Sequence, residues 1–113
     1  MYPTLSFDRQ SFDPAVVESM VARVAGGLER LGVGDGDTVA LMARNQPALL
    51  VAMLAARTLG AYFCAINWHF KADEAGYILA DSGAKALIAD RDLLARIAPG
   101  IPESIAPAAR LAI

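Results

Sequence analysis

The spacing of apolar positions changes along this chain in a way that separates helices from strands. From Pro14 onward, Val17, Met20, Val21, Val24, Leu28 and Leu31 recur every three or four residues, as on one face of an α-helix. Asp13 offers an N-cap acceptor, Pro14 suits the first turn, and Gly32 offers the left-handed residue that ends such a helix. The Gly26-Gly27 pair inside it costs about 1 kcal/mol per residue relative to alanine, so either a neighbour packs closely there or the helix is locally weak. Ahead of it, Leu5-Ser-Phe and Gln10-Ser-Phe flank Asp8-Arg9 as two short extended pieces of a hairpin.

Beyond Gly34-Asp-Gly-Asp37, which is turn chemistry, the apolar runs shorten to strand length. Residues 38–43, 62–66 and 85–89 read as strands. Between them lie two helices. One is capped by Asn45, carries Pro47 in its first turn and closes at Gly60; the other runs around Asp73 to Ala80 and ends at Asp81-Ser82-Gly83. Asp90 caps a short helix from Leu93 to Ile97, Pro99-Gly100 and Pro102 break the chain, and residues 110–113 read as a fourth strand cut short. This alternation predicts an α/β fold, a partial parallel sheet flanked by helices with right-handed crossovers, within one partial domain over residues 1–113. Strand order stays open. Ala48 to Ala56 is apolar on every face, so that helix needs cover on all sides, and one sheet supplies cover on only one.

Composition narrows the function classes. A 56% hydrophobic content in 113 residues, with mean hydropathy +0.41, is high for a free-standing small domain and predicts cover by something else, or self-association. A net charge of -2 with scattered basic residues excludes a phosphate-backbone footprint, so no nucleic-acid partner is expected. The longest apolar run, Pro47 to Ala56, falls short of the roughly 18 residues of a membrane span. The N-terminus lacks the basic patch and apolar run of a secretory signal. A cytoplasmic protein is the expectation. Cys64, the only cysteine, lies in an apolar run and reads as a reduced, buried thiol.

The candidates for chemistry each have a structural account. Gly32-Val-Gly-Asp-Gly36 follows a helix and precedes a strand, the reverse of a phosphate-binding loop, so its glycines serve a helix end and a turn. His69 is the only histidine and has no metal-ligating partner, and Trp68-His69-Phe70 reads as a packing wedge. Asp73 and Glu74 suit a helix start, Asp81 a turn, and Arg91 and Arg96 a solvated face. No catalytic, cofactor-binding or metal residue is assigned on this chain.

Leu31-Gly32-Val33, Gly36-Asp37, Val39, Asn45, Gly60-Ala61, Ile66-Asn67, and Glu74, Tyr77, Ile78, Asp81 and Ala84 together form an ordered set across residues 24–90. That set resembles the N-terminal region of the AMP-forming adenylating enzymes, and Asn67-Trp68-His69 looks more like their acyl-CoA synthetases. Phe63 and Ala65 depart from the family pattern, standing where it has tyrosine and proline. The resemblance implies a parent ligase that uses ATP, Mg²⁺ and coenzyme A to turn a carboxylic (fatty) acid into an acyl-adenylate and then a thioester. The family's phosphate loop and catalytic lysine lie downstream of the matched region. This chain is therefore expected to be an N-terminal fragment, inactive alone, whose partner is the remainder of the parent enzyme. The alternative is a non-catalytic truncated remnant or an interaction module.

Overall fold

The computed structural model describes residues 2–113. Pro14–Arg30 forms the first helix, α1, opened by Asp13, whose Oδ1 accepts from the Val16 N–H at 3.0 Å. Its exit is a Schellman motif, with Gly32 N–H donating to the Glu29 carbonyl and Val33 N–H to that of Leu28. Gly32 takes φ +91°, and Leu28 and Val33 are both buried, completing the motif with its apolar contact. A Cβ placed on Gly27 would meet nothing within 4 Å, so close packing does not account for that glycine, and α1 is intrinsically weak there.

Ahead of α1, β1 (Leu5–Phe7) and β2 (Gln10–Phe12) pair antiparallel around Asp8-Arg9 as the pattern predicts. The main sheet is built from β3 (Thr38–Met42), β4 (Tyr62–Ala65), β5 (Ala86–Ala89) and β6 (Arg110–Ala112). Its order is β4-β3-β5-β6, and every pair is parallel. The connecting helices are α2 (Pro47–Thr58), α3 (Ala72–Ser82) and α4 (Arg91–Ile97), with single 3₁₀ turns at Ala98–Gly100 and Pro107–Ala109.

The chain moves outward from β3 to β4 and then returns across β3 to β5. Right-handed crossovers therefore put α2 on one face of the sheet and α3 and α4 on the other. The packing agrees: α1 lies on α2, and α3 packs against α4. α2 needed cover on more than one side, and it is sandwiched between the sheet and α1, with Val51, Ala52, Ala55 and Ala56 buried. Only Leu50 among its large apolar residues remains exposed, at 45%. Every residue of β5 is buried, as are Val39 to Met42 of β3.

Three local expectations change. α2 starts from Gln46 rather than Asn45, with no side-chain cap, because Gln46 turns its amide toward Asp90. α3 starts at Ala72, with Glu74 Oε1 accepting from the Lys71 N–H at 3.0 Å, so Glu74 closes the helix start from inside. Cys64 is half-exposed rather than buried, because β4 is an edge strand on which Tyr62 and Phe63 are exposed as well. An apolar run of four residues cannot reveal on its own that its outer edge lacks a neighbour.

Candidate functional site

In open α/β sheets the crevice for ligands opens at the carboxyl ends of the strands, where the strand order reverses. Here that point lies between β3 and β5, beyond Met42 and Ala89. The side chains gathered there come from three segments distant in sequence: Arg44 and Gln46 after β3, Trp68 and His69 after β4, and Asp90 and Asp92 after β5.

Asp90 is the one buried charged residue among those described, at 6% exposure. Its Oδ2 accepts from the Arg44 backbone N–H at 3.0 Å and from Arg44 Nη1 at 2.9 Å, and its Oδ1 accepts from Gln46 Nε2. Asp90 was expected to cap α4; it stands at the N-cap position, but its carboxylate makes no cap bond and faces Arg44 instead. A buried carboxylate requires charge-assisted donors, and these three supply them. The Arg44 guanidinium also grips Asp92 in a two-pronged bond, Nη1 to Oδ1 at 3.0 Å and Nη2 to Oδ2 at 2.8 Å. That contact, more than Asp90, raises the pKa of Arg44, while Arg44 holds the Asp92 carboxyl below the usual range.

Arg44 further lies 4.8 Å above the centre of the Trp68 ring, which stacks on His69 at 3.8 Å. Asn67 Oδ1 accepts from the His69 backbone N–H at 2.9 Å and lies 3.0 Å from His69 Nδ1. Arg96, expected on a solvated face, instead donates to the carbonyls of Trp68 and Phe70, the latter at 3.1 Å. Two arginines thus hold the loop after β4, one at its ring and one at its backbone.

The remaining sequence candidates lie elsewhere. The Gly32–Gly36 turn sits at the amino end of the sheet, where Asp37 Oδ2 accepts from the Gly34 N–H at 2.8 Å and from Lys85 Nζ at 3.4 Å. Lys85 Nζ also donates to the Gly32 carbonyl at 3.1 Å. Asp73, Glu74 and Asp81 are exposed on α3, and Arg91 is exposed at the start of α4. No group of three or more metal-ligating side chains occurs among the described residues. Asp90 and Asp92, the only carboxylates brought together at the switch point, spend their oxygens on Arg44 and Gln46 and so do not fit a divalent cation. No glycine-rich loop joins a strand to a helix there, so the backbone offers no phosphate cradle. The sequence reading missed Arg44, Gln46 and Asp92; the only signal was that charged residues follow two apolar strands in turn.

An apolar groove of 540 Å³ lies away from this cluster, between α1, α2 and β6. Met20, Val24, Gly27, Val51, Leu111 and Ile113 are among the residues that line it.

The sequence model of the AMP-binding enzyme family matches residues 3–111. The chain belongs to that family. Among its curated relatives, the feruloyl-CoA synthase of an Amycolatopsis species is 42% identical over 74 residues, covering 66% of this chain and 15% of the relative. The medium/long-chain-fatty-acid–CoA ligase FadD6 of Mycobacterium tuberculosis is 35% identical over 94 residues, covering 83% of this chain and 16% of the relative. The inhibitor-bound N-terminal domain of FACL13 from Mycobacterium tuberculosis superposes with a TM-score of 0.82 at 26% identity, covering 92% of this chain and 27% of that one. The chain thus spans about a sixth of the length of the curated relatives it matches. The fold expectation, an α/β parallel sheet of the adenylating-enzyme type, holds. No helix among the described residues is long and apolar enough to cross a membrane.

Proposed function

We propose that this chain is the N-terminal scaffold of a cytoplasmic, AMP-forming acyl-CoA synthetase, and that it does not carry the reaction alone. In this reading the parent enzyme joins a carboxylic acid to AMP at the expense of ATP, with Mg²⁺, and passes the acyl group to coenzyme A. The observation that carries it is the family match across residues 3–111 together with relatives that are CoA ligases several times longer. The chain's own chemistry supports the division of labour. Stabilising charge that develops on a phosphate requires donors aimed at it, and the arginines at the switch point are already committed to Asp90, Asp92 and the loop after β4. What these residues do is hold three loops in fixed relation at the carboxyl end of the sheet, the end at which open α/β sheets bind ligands.

A second reading, a non-catalytic interaction module, is favoured by the apolar groove, since a lining of this kind is ordinarily covered. One experiment separates them. Residues 3–111 are substituted for the matching segment of the Amycolatopsis feruloyl-CoA synthase, and feruloyl-CoA formation is assayed beside ATP–pyrophosphate exchange by the 113-residue chain alone. The scaffold reading expects an active chimera and a silent isolated chain. Exchange by the isolated chain would sink the division of labour, and a folded but inactive chimera would favour the module.

A further inference from the structure

We propose that Asp92, in the first turn of α4, is a positioning residue for the Trp68 ring in the loop after β4, and that it acts through the Arg44 guanidinium. Arg44 is where groups from three connections meet. Asp90 anchors both ends of the residue, accepting from its backbone N–H at 3.0 Å and from its Nη1 at 2.9 Å. One bond to Nη1 fixes the position of the guanidinium and leaves its plane free to turn. Asp92 removes that freedom, because its two oxygens take Nη1 at 3.0 Å and Nη2 at 2.8 Å, and a two-pronged bond defines a plane as well as a position. Held in this way, the guanidinium carbon lies over the Trp68 ring, 4.8 Å from its centre and within the roughly 6 Å over which an indole face attracts a cation.

Arg96 does not replace this contact. It donates to the carbonyls of Trp68 and Phe70, so it fixes the main chain of the loop and leaves the angle of the indole to the groups that meet the ring. His69 stacks on that ring at 3.8 Å but belongs to the same loop. Arg44 is therefore the contact that ties the indole to the connections after β3 and β5.

The two carboxylates on Arg44 divide the work. The Asp90 side chain is 8% exposed and also serves the Arg44 backbone N–H and Gln46, so its loss disturbs folding. The Asp92 side chain is 67% exposed, and an ion pair so solvated contributes little to stability. A change at Asp92 thus alters what Arg44 does to the ring while the sheet stays intact. The ring stands at the carboxyl end of the sheet, where open α/β sheets bind ligands. Any effect of Asp92 on a ligand there rests on the parent-enzyme reading; the coupling itself belongs to this chain and is tested without the reaction.

Trp68 is the only tryptophan, so emission reports on this ring alone. The test is acrylamide quenching of Trp68 in the 113-residue chain, beside circular dichroism to establish that each variant is folded. Asp92→Asn keeps the shape and discards the charge and one acceptor, and should raise the quenching constant at least about twofold, the change that follows from losing a cation–π contact at the weak end of its range. Asp92→Glu restores a carboxylate and should recover most of the parent value. Arg44→Lys keeps a charge for Asp90 but lacks the fork and the flat face, so it should match Asp92→Asn. Adding Asp92→Asn to Arg44→Lys should raise quenching no further, since both act on one contact. Asp73→Asn, at an exposed carboxylate on α3, should change nothing. A folded Asp92→Asn chain quenched like the parent overturns the proposal, as do additive effects in the double variant or an equal rise in Asp73→Asn. Failure of Asp92→Asn to fold would make Asp92 a structural residue and overturn it as well. Should Arg44→Lys not fold, the contrast between Asn and Glu at position 92 still decides.

Discussion

The two ends of the main sheet are held by different chemistry. At the amino end, the chain's own backbone does most of the work. Schellman turns close α1 at Gly32 and α2 at Gly60, the Gly36 N–H donates to the Gly60 carbonyl at 3.0 Å, and the one ion pair, Lys85 to Asp37 at 3.4 Å, is largely solvated. At the carboxyl end, side chains do it: Arg44, Gln46 and Arg96 satisfy two carboxylates and two carbonyls across the β3, β4 and β5 connections. Turns fixed by backbone geometry depend on neighbours in sequence, whereas the carboxyl end depends on residues 26 to 48 positions apart that meet only once the sheet has formed. The difference implies that the amino end tolerates loss of charge and that the carboxyl end does not.

The sharpest way to break this comparison is to remove Asp90. Asp90→Ala deletes the acceptor of three donors and leaves Arg44 with Asp92 alone, a loss of about 3 kcal/mol by analogy with broken buried pairs. Asp37→Ala at the other end removes a solvated carboxylate and should shift the unfolding midpoint by clearly less. Urea unfolding of the two variants side by side checks this. Equal losses would mean that the amino end depends on its charge as much as the carboxyl end does.

The backbone side of the comparison is tested at Gly60, which takes φ +72° against the Asp35 carboxylate. Gly60→Ala should cost about 2 kcal/mol, since it adds crowding to the strain of a left-handed alanine. Gly32→Ala, at φ +91° with open space around it, should cost about 1 kcal/mol. Thermal melts that reverse this order would show that crowding by Asp35 is relieved by rotation of its side chain.

This division also explains what could be read from the sequence. The helix end at Gly32, the hairpin around Asp8-Arg9 and the strands near residues 38, 62 and 86 were legible because each rests on local spacing or on a residue suited to one backbone conformation. Strand order was not, since an apolar run records burial and not the identity of its neighbour. Tyr62-Phe-Cys-Ala reads as a strand, and nothing in its apolar run marks it as the edge it is. Asp90 was readable as a helix start, which it is, but its carboxylate serves an arginine 46 residues away. Arg96 looked solvated because its acceptors are main-chain carbonyls after β4, which leave no trace in composition. At the candidate site, the loop 67–69 was visible as an aromatic wedge, while the charges that hold it were not.

The finest distinction between the two ends lies in how each lowers a carboxyl pKa. Asp37 and Asp92 both sit below the ordinary 3.8, but the largest cause for Asp37 is the Gly34 backbone N–H, with Lys85 secondary, whereas for Asp92 it is Arg44. A carboxyl whose pKa is lower folded than unfolded stabilises the protein fully above the unfolded value near 3.8, and loses that contribution as pH falls through its folded value. Both ends therefore weaken below about pH 4. They should respond differently to substitution and salt. Lys85→Met should leave most of the Asp37 shift in place, and Arg44→Met should return Asp92 toward its ordinary value. At about 1 M salt, where screening acts within about 3 Å, the Asp92 shift should shrink while that of Asp37 persists, because a short hydrogen bond to a fixed amide is little affected by ions. Carboxyl-carbon NMR titration of the two residues reads this directly. Loss of the Asp37 shift in Lys85→Met would make the amino end an ion pair after all.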